Sequence, residues 1–214
     1  VVDPDVDRLA FMDENGAMFG EEYTLVACAD YVLSKTPGNT VSNMSSTRAL
    51  RDITEKHGGT YYSSAVGEVN VVTKMKAVNA VIGGEGNGGI IDPQLHYGRD
   101  SLIGTALFLS LLSTCQLSVS ELKKTYPEYF MGKGKIQLEL TMDVDGLLLA
   151  IEKKYANNKP STIDGVKIDF EASWVHLRKS NTEPIIRVYT EAPSQEDADL
   201  LMNRFKEELL ALGN

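Results

Sequence analysis

Residues 78–89 read Val78-Asn79-Ala80-Val81-Ile82-Gly83-Gly84-Glu85-Gly86-Asn87-Gly88-Gly89, an apolar run that ends in glycines. Val78 to Ile82 is a short apolar run bounded by turn residues, the pattern of a buried strand. It passes directly into a glycine-rich segment, where backbone can approach a ligand closely. On the N-terminal side, Val66 to Lys76 places Val69, Val72 and Met75 three residues apart, on one helical face. Thr60 to Ser63 reads as a short strand before it. Further out, Ser45 or Ser46 can cap a helix running to Glu55-Lys56-His57, closed by Gly58-Gly59. Tyr23 to Ser34 carries another helical apolar face and stops before Thr36-Pro37-Gly38-Asn39. Downstream, Asp100 is the expected N-cap of an apolar helix from Ser101 to Leu112. Strands alternating with helices of this length predict a layered α/β domain over residues 21–128.

The order then changes. Pro127, Gly132 and Gly134 mark a linker in the stretch from Tyr126 to Lys135, assigned to residues 129–140. Beyond it come a helix from Asp143 to Tyr155, a hairpin signal at Asp164-Gly165, and strands at Trp174–Leu177 and Ile185–Thr190. A final helix starts at Ser194, with Asp197 completing its cap and Ala198, Leu201, Met202, Phe205 and Leu209 in one apolar stripe. This predicts a smaller α+β domain over residues 141–214, a small antiparallel sheet with helices on one side.

Bulk properties narrow the function. The 214 residues suffice for one large or two modest domains. A net charge of −9 argues against nucleic acid or an anionic membrane as partner, and no apolar run is long enough to span a bilayer. Cys28 and Cys115 lie far apart in apolar patterns, as buried hydrophobes of a reducing, cytoplasmic compartment do. His57, His96 and His176 form no cluster with them, so a soft-metal site is not expected. The chain opens at Val1-Val2-Asp3 without Met and is read as a fragment of a longer protein.

Three constellations carry chemistry. In Asp3-Pro4-Asp5-Val6-Asp7-Arg8, an extended loop would point Asp3, Asp5 and Asp7 to one side, and three like charges call for a cation. All-oxygen ligation suits Mg²⁺ or Ca²⁺. An EF-hand reading, with Glu14 as the final ligand, conflicts with Arg8 at the glycine position and with Pro4, so magnesium is favoured over calcium. A solvated acidic turn is the plain alternative. In the glycine-rich segment, Glu85 and Asn87 have the donors and acceptors to grip sugar hydroxyls, or the segment is a flexible loop. The third is Arg178-Lys179-Ser180-Asn181-Thr182-Glu183-Pro184-Ile185-Ile186-Arg187. Two arginines bracket a hydroxyl- and amide-rich turn, matched to phosphate oxygens; the alternative is a hairpin turn with solvated arginines. Together the three imply a phosphorylated polyol and a metal-assisted step on phosphate.

In this order, over essentially the whole chain, these motifs resemble the α-D-phosphohexomutases, the family of phosphoglucomutase, phosphomannomutase and phosphoglucosamine mutase. Gly84-Glu85-Gly86-Asn87-Gly88 is similar to that family's sugar loop, and Ala65–Val71 and Gly98-Arg99-Asp100 to its flanking segments. The resemblance implies that Asp3, Asp5 and Asp7 ligate Mg²⁺, that Arg8 sits beside the reactive phosphate, and that Glu85 and Asn87 bind sugar hydroxyls. It implies that Arg178, Ser180, Asn181 and Thr182, with Arg187, hold the non-reacting phosphate of a phosphohexose. It also makes residues 1–20 the tail of a second domain, with N-terminal domains of the same protein as partners. Nothing in the chain matches the family's phosphoserine motif, of Ser-His-Asn-Pro type, so this chain alone is expected to be inactive. Gly89 and Glu68 stand where some members carry histidines, which leaves the general acid and base unassigned; Glu68 is a candidate. The competing class is a non-catalytic phosphosugar- or Ca²⁺-binding module.

Overall fold

A computed structural model describes residues 1–137, 143–180 and 183–213. The chain divides into two compact units, Val1–Glu128 and Tyr129–Asn214.

The first unit is built on a four-stranded sheet of order β2-β1-β3-β4, where β1 is Asn39–Asn43, β2 Tyr61–Ser64, β3 Ala80–Glu85 and β4 Gly89–Ile91. β1 runs parallel to β2 and β3, and β4 folds back antiparallel on β3. The helices are α1 (Glu21–Lys35), α2 (Ala49–Lys56), α3 (Glu68–Val78), α4 (Ser101–Cys115) and the short α5 (Val119–Lys123). Successive strand residues point to opposite faces. A side chain at Gly83 would meet Met75 of α3, and one at Gly84 would meet Leu25 of α1, so these helices sandwich β3. Val71 and Met75 of α3 pack with Val41, Ala80 and Ile91.

Local details depart from expectation. The buried face of α3 is Val71 and Met75, four residues apart, while Val69 is 78% exposed. Val78 ends that helix, and Asn79 in the left-handed region (φ 50°) separates it from β3. Neither Ser45 nor Ser46 caps α2, whose N-cap is Arg48; Ser46 is drawn instead toward the glycine-rich segment. Asp100 caps α4 as expected, accepting from the amides of Leu102 and Ile103.

Residues 1–20 pack within this first unit. Leu9 and Phe19 are buried, and Phe11 and Phe19 close on Phe108 of α4 with ring centroids 3.8 and 5.0 Å away.

The second unit is a fully antiparallel sheet of order β5-β8-β7-β6, from β5 (Phe130–Gln137), β6 (Val166–Asp169), β7 (Trp174–Lys179) and β8 (Ile185–Ala192). Helices α6 (Val144–Lys154) and α7 (Gln195–Gly213) share one core with it, joining Leu147, Ile151, Phe205 and Leu209 to Val175, Leu177, Ile186 and Val188. This is the expected α+β architecture with both helices on one core. The stretch read as a linker, 129–140, contains β5, paired with β8 from Phe130↔Ala192 to Gln137↔Ile185. Its glycines serve close approach rather than flexibility: side chains at Gly132 and Gly134 would crowd Thr190 and Met202.

Candidate functional site

The acidic loop is a tight turn, not an extended segment. The amide of Val6 donates to the carbonyl of Asp3 at 3.1 Å, and Val6 takes φ 61°, a left-handed conformation that a β-branched residue rarely adopts. The turn gathers one carboxylate oxygen from each of Asp3, Asp5 and Asp7 within 4.8 Å of one another. Arg8 folds back on Asp3, its Nε 2.6 Å from Oδ2 and its amide 3.1 Å from Oδ1. Partial desolvation works against ionisation of Asp3, but these donors outweigh it and hold its carboxyl at about 2. Asp7 is shifted upward, by desolvation and by Asp5 and Asp3 against the pull of Arg99 and Arg8. Its Oδ1 is buried without a hydrogen-bond partner. Three oxygen donors, mutual repulsion and an orphaned buried oxygen fit a hard divalent cation. Glu14 takes no part: it accepts from Ser120, against the EF-hand arrangement.

The glycine-rich segment is a β-hairpin tip, with Gly86, Asn87 and Gly88 between the paired Glu85 and Gly89. Glu85 is buried. Its Oε1 accepts from Asn43 Nδ2 at 2.9 Å and the Gly67 amide at 3.2 Å, and its Oε2 from Arg99 Nη1 at 2.9 Å. Ser46 Oγ accepts from the Gly86 amide at 3.0 Å. Asn43 and Glu85 close β1 and β3, so this cluster sits at the carboxyl ends of parallel strands, where open α/β sheets bind ligands. Gly88, at φ 86°, accepts from the Leu9 amide at 3.0 Å, which docks the hairpin on the acidic loop. Between them lies a cavity of ≈ 280 Å³ whose lining includes Asp3, Arg8, Glu21 and Asn87.

Arg99 carries more of this site than its sequence suggested. Its Nη2 lies 2.5 Å from Asp7 Oδ2 and its Nη1 2.9 Å from Glu85 Oε2. Glu68 holds it from the third side, accepting the Arg99 amide at 3.1 Å, with Oε2 3.3 Å from Nε. Glu68 is therefore tied to Arg99. Nothing in the sequence marks Asn43 or Glu21 as a site residue, and Ser46 reads there only as a candidate helix cap. Their signal is position at strand and helix ends, which only the fold supplies.

In the second unit, Arg178 of β7 and Arg187 of β8 are directly opposed partners. Arg178 Nε is 3.0 Å from Asp164 Oδ2, and the Ser180 amide donates to the Ile185 carbonyl at 3.0 Å. Asn181 and Thr182 lie outside the described residues. His176, one turn of the pleat before Arg178, is fully buried with Nε2 2.6 Å from the Asp164 carbonyl; burial pushes its pKa down to about 4. Trp174 is a packing residue whose Nε1 donates to Glu191 at 2.7 Å.

Residues 20–129 match the family model for phosphoglucomutase/phosphomannomutase, alpha/beta/alpha domain III, and residues 136–208 match that for the C-terminal domain. The chain belongs to the α-D-phosphohexomutases. Within that family it corresponds to the C-terminal portion. A phosphoglucomutase/phosphomannomutase of Thermococcus kodakarensis is 35% identical, over 92% of this chain and 43% of its own length. A probable phosphoglucosamine mutase of Methanopyrus kandleri is 31% identical, over 95% of this chain and 45% of its own. Among solved structures, a phosphoglucomutase/phosphomannomutase family protein of Burkholderia thailandensis superposes with a TM-score of 0.82 at 25% identity, covering 99% of this chain and 46% of that one. The chain thus spans about half the length of the curated relatives it matches. Among the described residues, no helix is long and apolar enough to cross a membrane.

Proposed function

We propose that the whole protein is a phosphohexose mutase, interconverting 1-phospho and 6-phospho sugars through a phosphoserine and a bisphosphate intermediate. One observation carries this reading: Asp3, Arg8 and Asn87, from motifs far apart in sequence, line one cavity. In this reading Asp3, Asp5 and Asp7 hold Mg²⁺, which when bound neutralises charge developing on phosphoryl oxygens. Arg8, an exposed guanidinium beside that triad, is the donor for the reacting phosphate. Glu85 and Asn87 orient the sugar through its hydroxyls. Arg178, Ser180, Asn181, Thr182 and Arg187 hold the idle phosphate. Residues 1–20 end a preceding domain in this assignment, and the phosphoserine lies on a domain outside this sequence, so the chain alone binds but does not turn over. The substrate is a hexose phosphate of the glucosamine, mannose or glucose class, handled in the cytoplasm.

Metal titration of the chain by calorimetry tests the reading. Magnesium binding that Asp5→Asn abolishes is the expected result. Tight calcium binding with a weak response to magnesium sinks it in favour of a calcium-binding module.

A further inference from the structure

A guanidinium that touches two functional loops at once does more than neutralise a charge. Arg99 reaches Asp7 of the acidic loop with Nη2, at 2.5 Å, and Glu85 of the hairpin with Nη1, at 2.9 Å. Its side chain is 21% exposed and that of Glu85 only 6%, so the contacts lie in partly excluded solvent. Two carboxylates from separate hairpins would otherwise repel, as would Glu68 beside them. A planar fork with several donors can satisfy both at fixed spacing; an ammonium on a flexible stem cannot. The fork is itself held. Glu68 accepts from its backbone amide, and the next residue, Asp100, caps α4 and donates its own amide to the Ile90 carbonyl at 2.9 Å. Engaging Asp7 through Oδ2 leaves Oδ1, buried without a hydrogen bond and 3.8 Å from Arg8 Nε, to face a cation's place in the triad with only that weaker ion pair in competition. Engaging Glu85 through Oε2 fixes the carboxylate whose Oε1 already takes two donors.

We infer that Arg99 is a positioning residue that sets the metal ligand Asp7 and the sugar-reading Glu85 as one unit, so that metal affinity and hydroxyl recognition are energetically coupled. The inference rests on the assignment of those two residues under the proposed function. Coupling of this kind is reciprocal: bound metal raises the affinity for the hexose by the same factor by which bound hexose raises the affinity for the metal.

The test uses the complete enzyme. Mn²⁺ binding is read by electron paramagnetic resonance, and kcat and KM for a hexose phosphate are read separately. Arg99→Lys keeps the charge and loses the fork. It should weaken Mn²⁺ binding and lower kcat/KM by about 10–100-fold, the usual range for groups that orient metal ligands. Glu85→Gln should weaken Mn²⁺ binding several-fold in the parent and leave it unchanged in the Arg99→Lys background. Asp7→Ala serves as the reference for loss of a ligand. If Asp7→Ala abolishes Mn²⁺ binding while Arg99→Lys leaves it intact, the coupling is wrong and the metal assignment stands. If Asp7→Ala is also silent, the metal assignment falls and the coupling with it. Should Arg99→Lys fail to fold, Glu68→Gln loosens the same guanidinium from its far side. A weaker Mn²⁺ affinity in that variant supports the inference, and an unchanged one overturns it.

Discussion

Arg178 and Arg187 stand opposite each other across β7 and β8, partners in register on one face of the sheet. Like charges directly opposed across strands are destabilising. Asp164, 3.0 Å from Arg178, offsets part of that, and a phosphate dianion would offset the rest. Charge-assisted hydrogen bonds contribute about 1.5–3 kcal/mol each. In the complete enzyme, Arg178→Ala should therefore raise KM for phosphosugars by about 10–100-fold and leave the magnesium dependence unchanged. Steady-state kinetics at varied magnesium checks both halves, and an unaltered KM removes the phosphate assignment.

The same pair predicts an opposition between stability and binding. Arg187→Gln removes one of two opposed charges, so the unliganded protein should gain up to about 1 kcal/mol against urea while binding inorganic phosphate more weakly. A variant that loses both stability and phosphate affinity would show Arg187 to be a packing residue.

Gly86 predicts a local steric effect. A Cβ there would run into the carboxylate of Glu22, whose Oε2 accepts from the Thr47 amide at 2.8 Å. Gly86→Ala should cost about 1–3 kcal/mol in urea denaturation. At Gly16 (φ 80°) nothing lies within 4 Å of an added Cβ, so Gly16→Ala should show the backbone cost of a left-handed position alone, about 1–2 kcal/mol. No loss at Gly86, whose φ is not positive, would show that the Glu22 carboxylate swings clear of the added methyl.

What was legible in the sequence was local. Asp100 caps α4 because a short acceptor precedes an apolar run, and the α7 stripe follows from spacing alone. The linker was misread because glycine signals flexibility and close packing alike; at Gly132 and Gly134 it is close packing against Thr190 and Met202. Arg99 was seen only as part of a flanking segment. Its partners sit at positions 7, 68 and 85, and no spacing rule joins them before the fold does. The acidic loop was legible as a cluster but not as a turn, since φ 61° at Val6 runs against the preference of a β-branched residue.

His176 predicts a pH dependence of stability. Burial lowers its pKa from 6.5 to about 4, so the folded state keeps it neutral while the unfolded chain binds a proton below about 6.5. The unfolded state then binds more protons between those values, and stability falls as pH drops through this window. The full shift corresponds to roughly 3 kcal/mol. Urea midpoints at pH 7 and 4.5 should differ less in His176→Gln than in the parent. An identical pH slope in both would mean that the imidazole does not titrate as its burial implies.

In the proposed assignment these residues form the metal-, sugar- and phosphate-holding half of a phosphohexose mutase. The most direct measurement is ³¹P NMR of the complete enzyme with magnesium, a catalytic amount of hexose bisphosphate, and the 6-phosphates of glucosamine, mannose and glucose in turn. At least one should convert to its 1-phosphate, chelation of magnesium should stop the conversion, and residues 1–214 alone should convert none. No conversion of any of the three by the complete enzyme, or conversion that persists undiminished in Asp5→Asn, would contradict it.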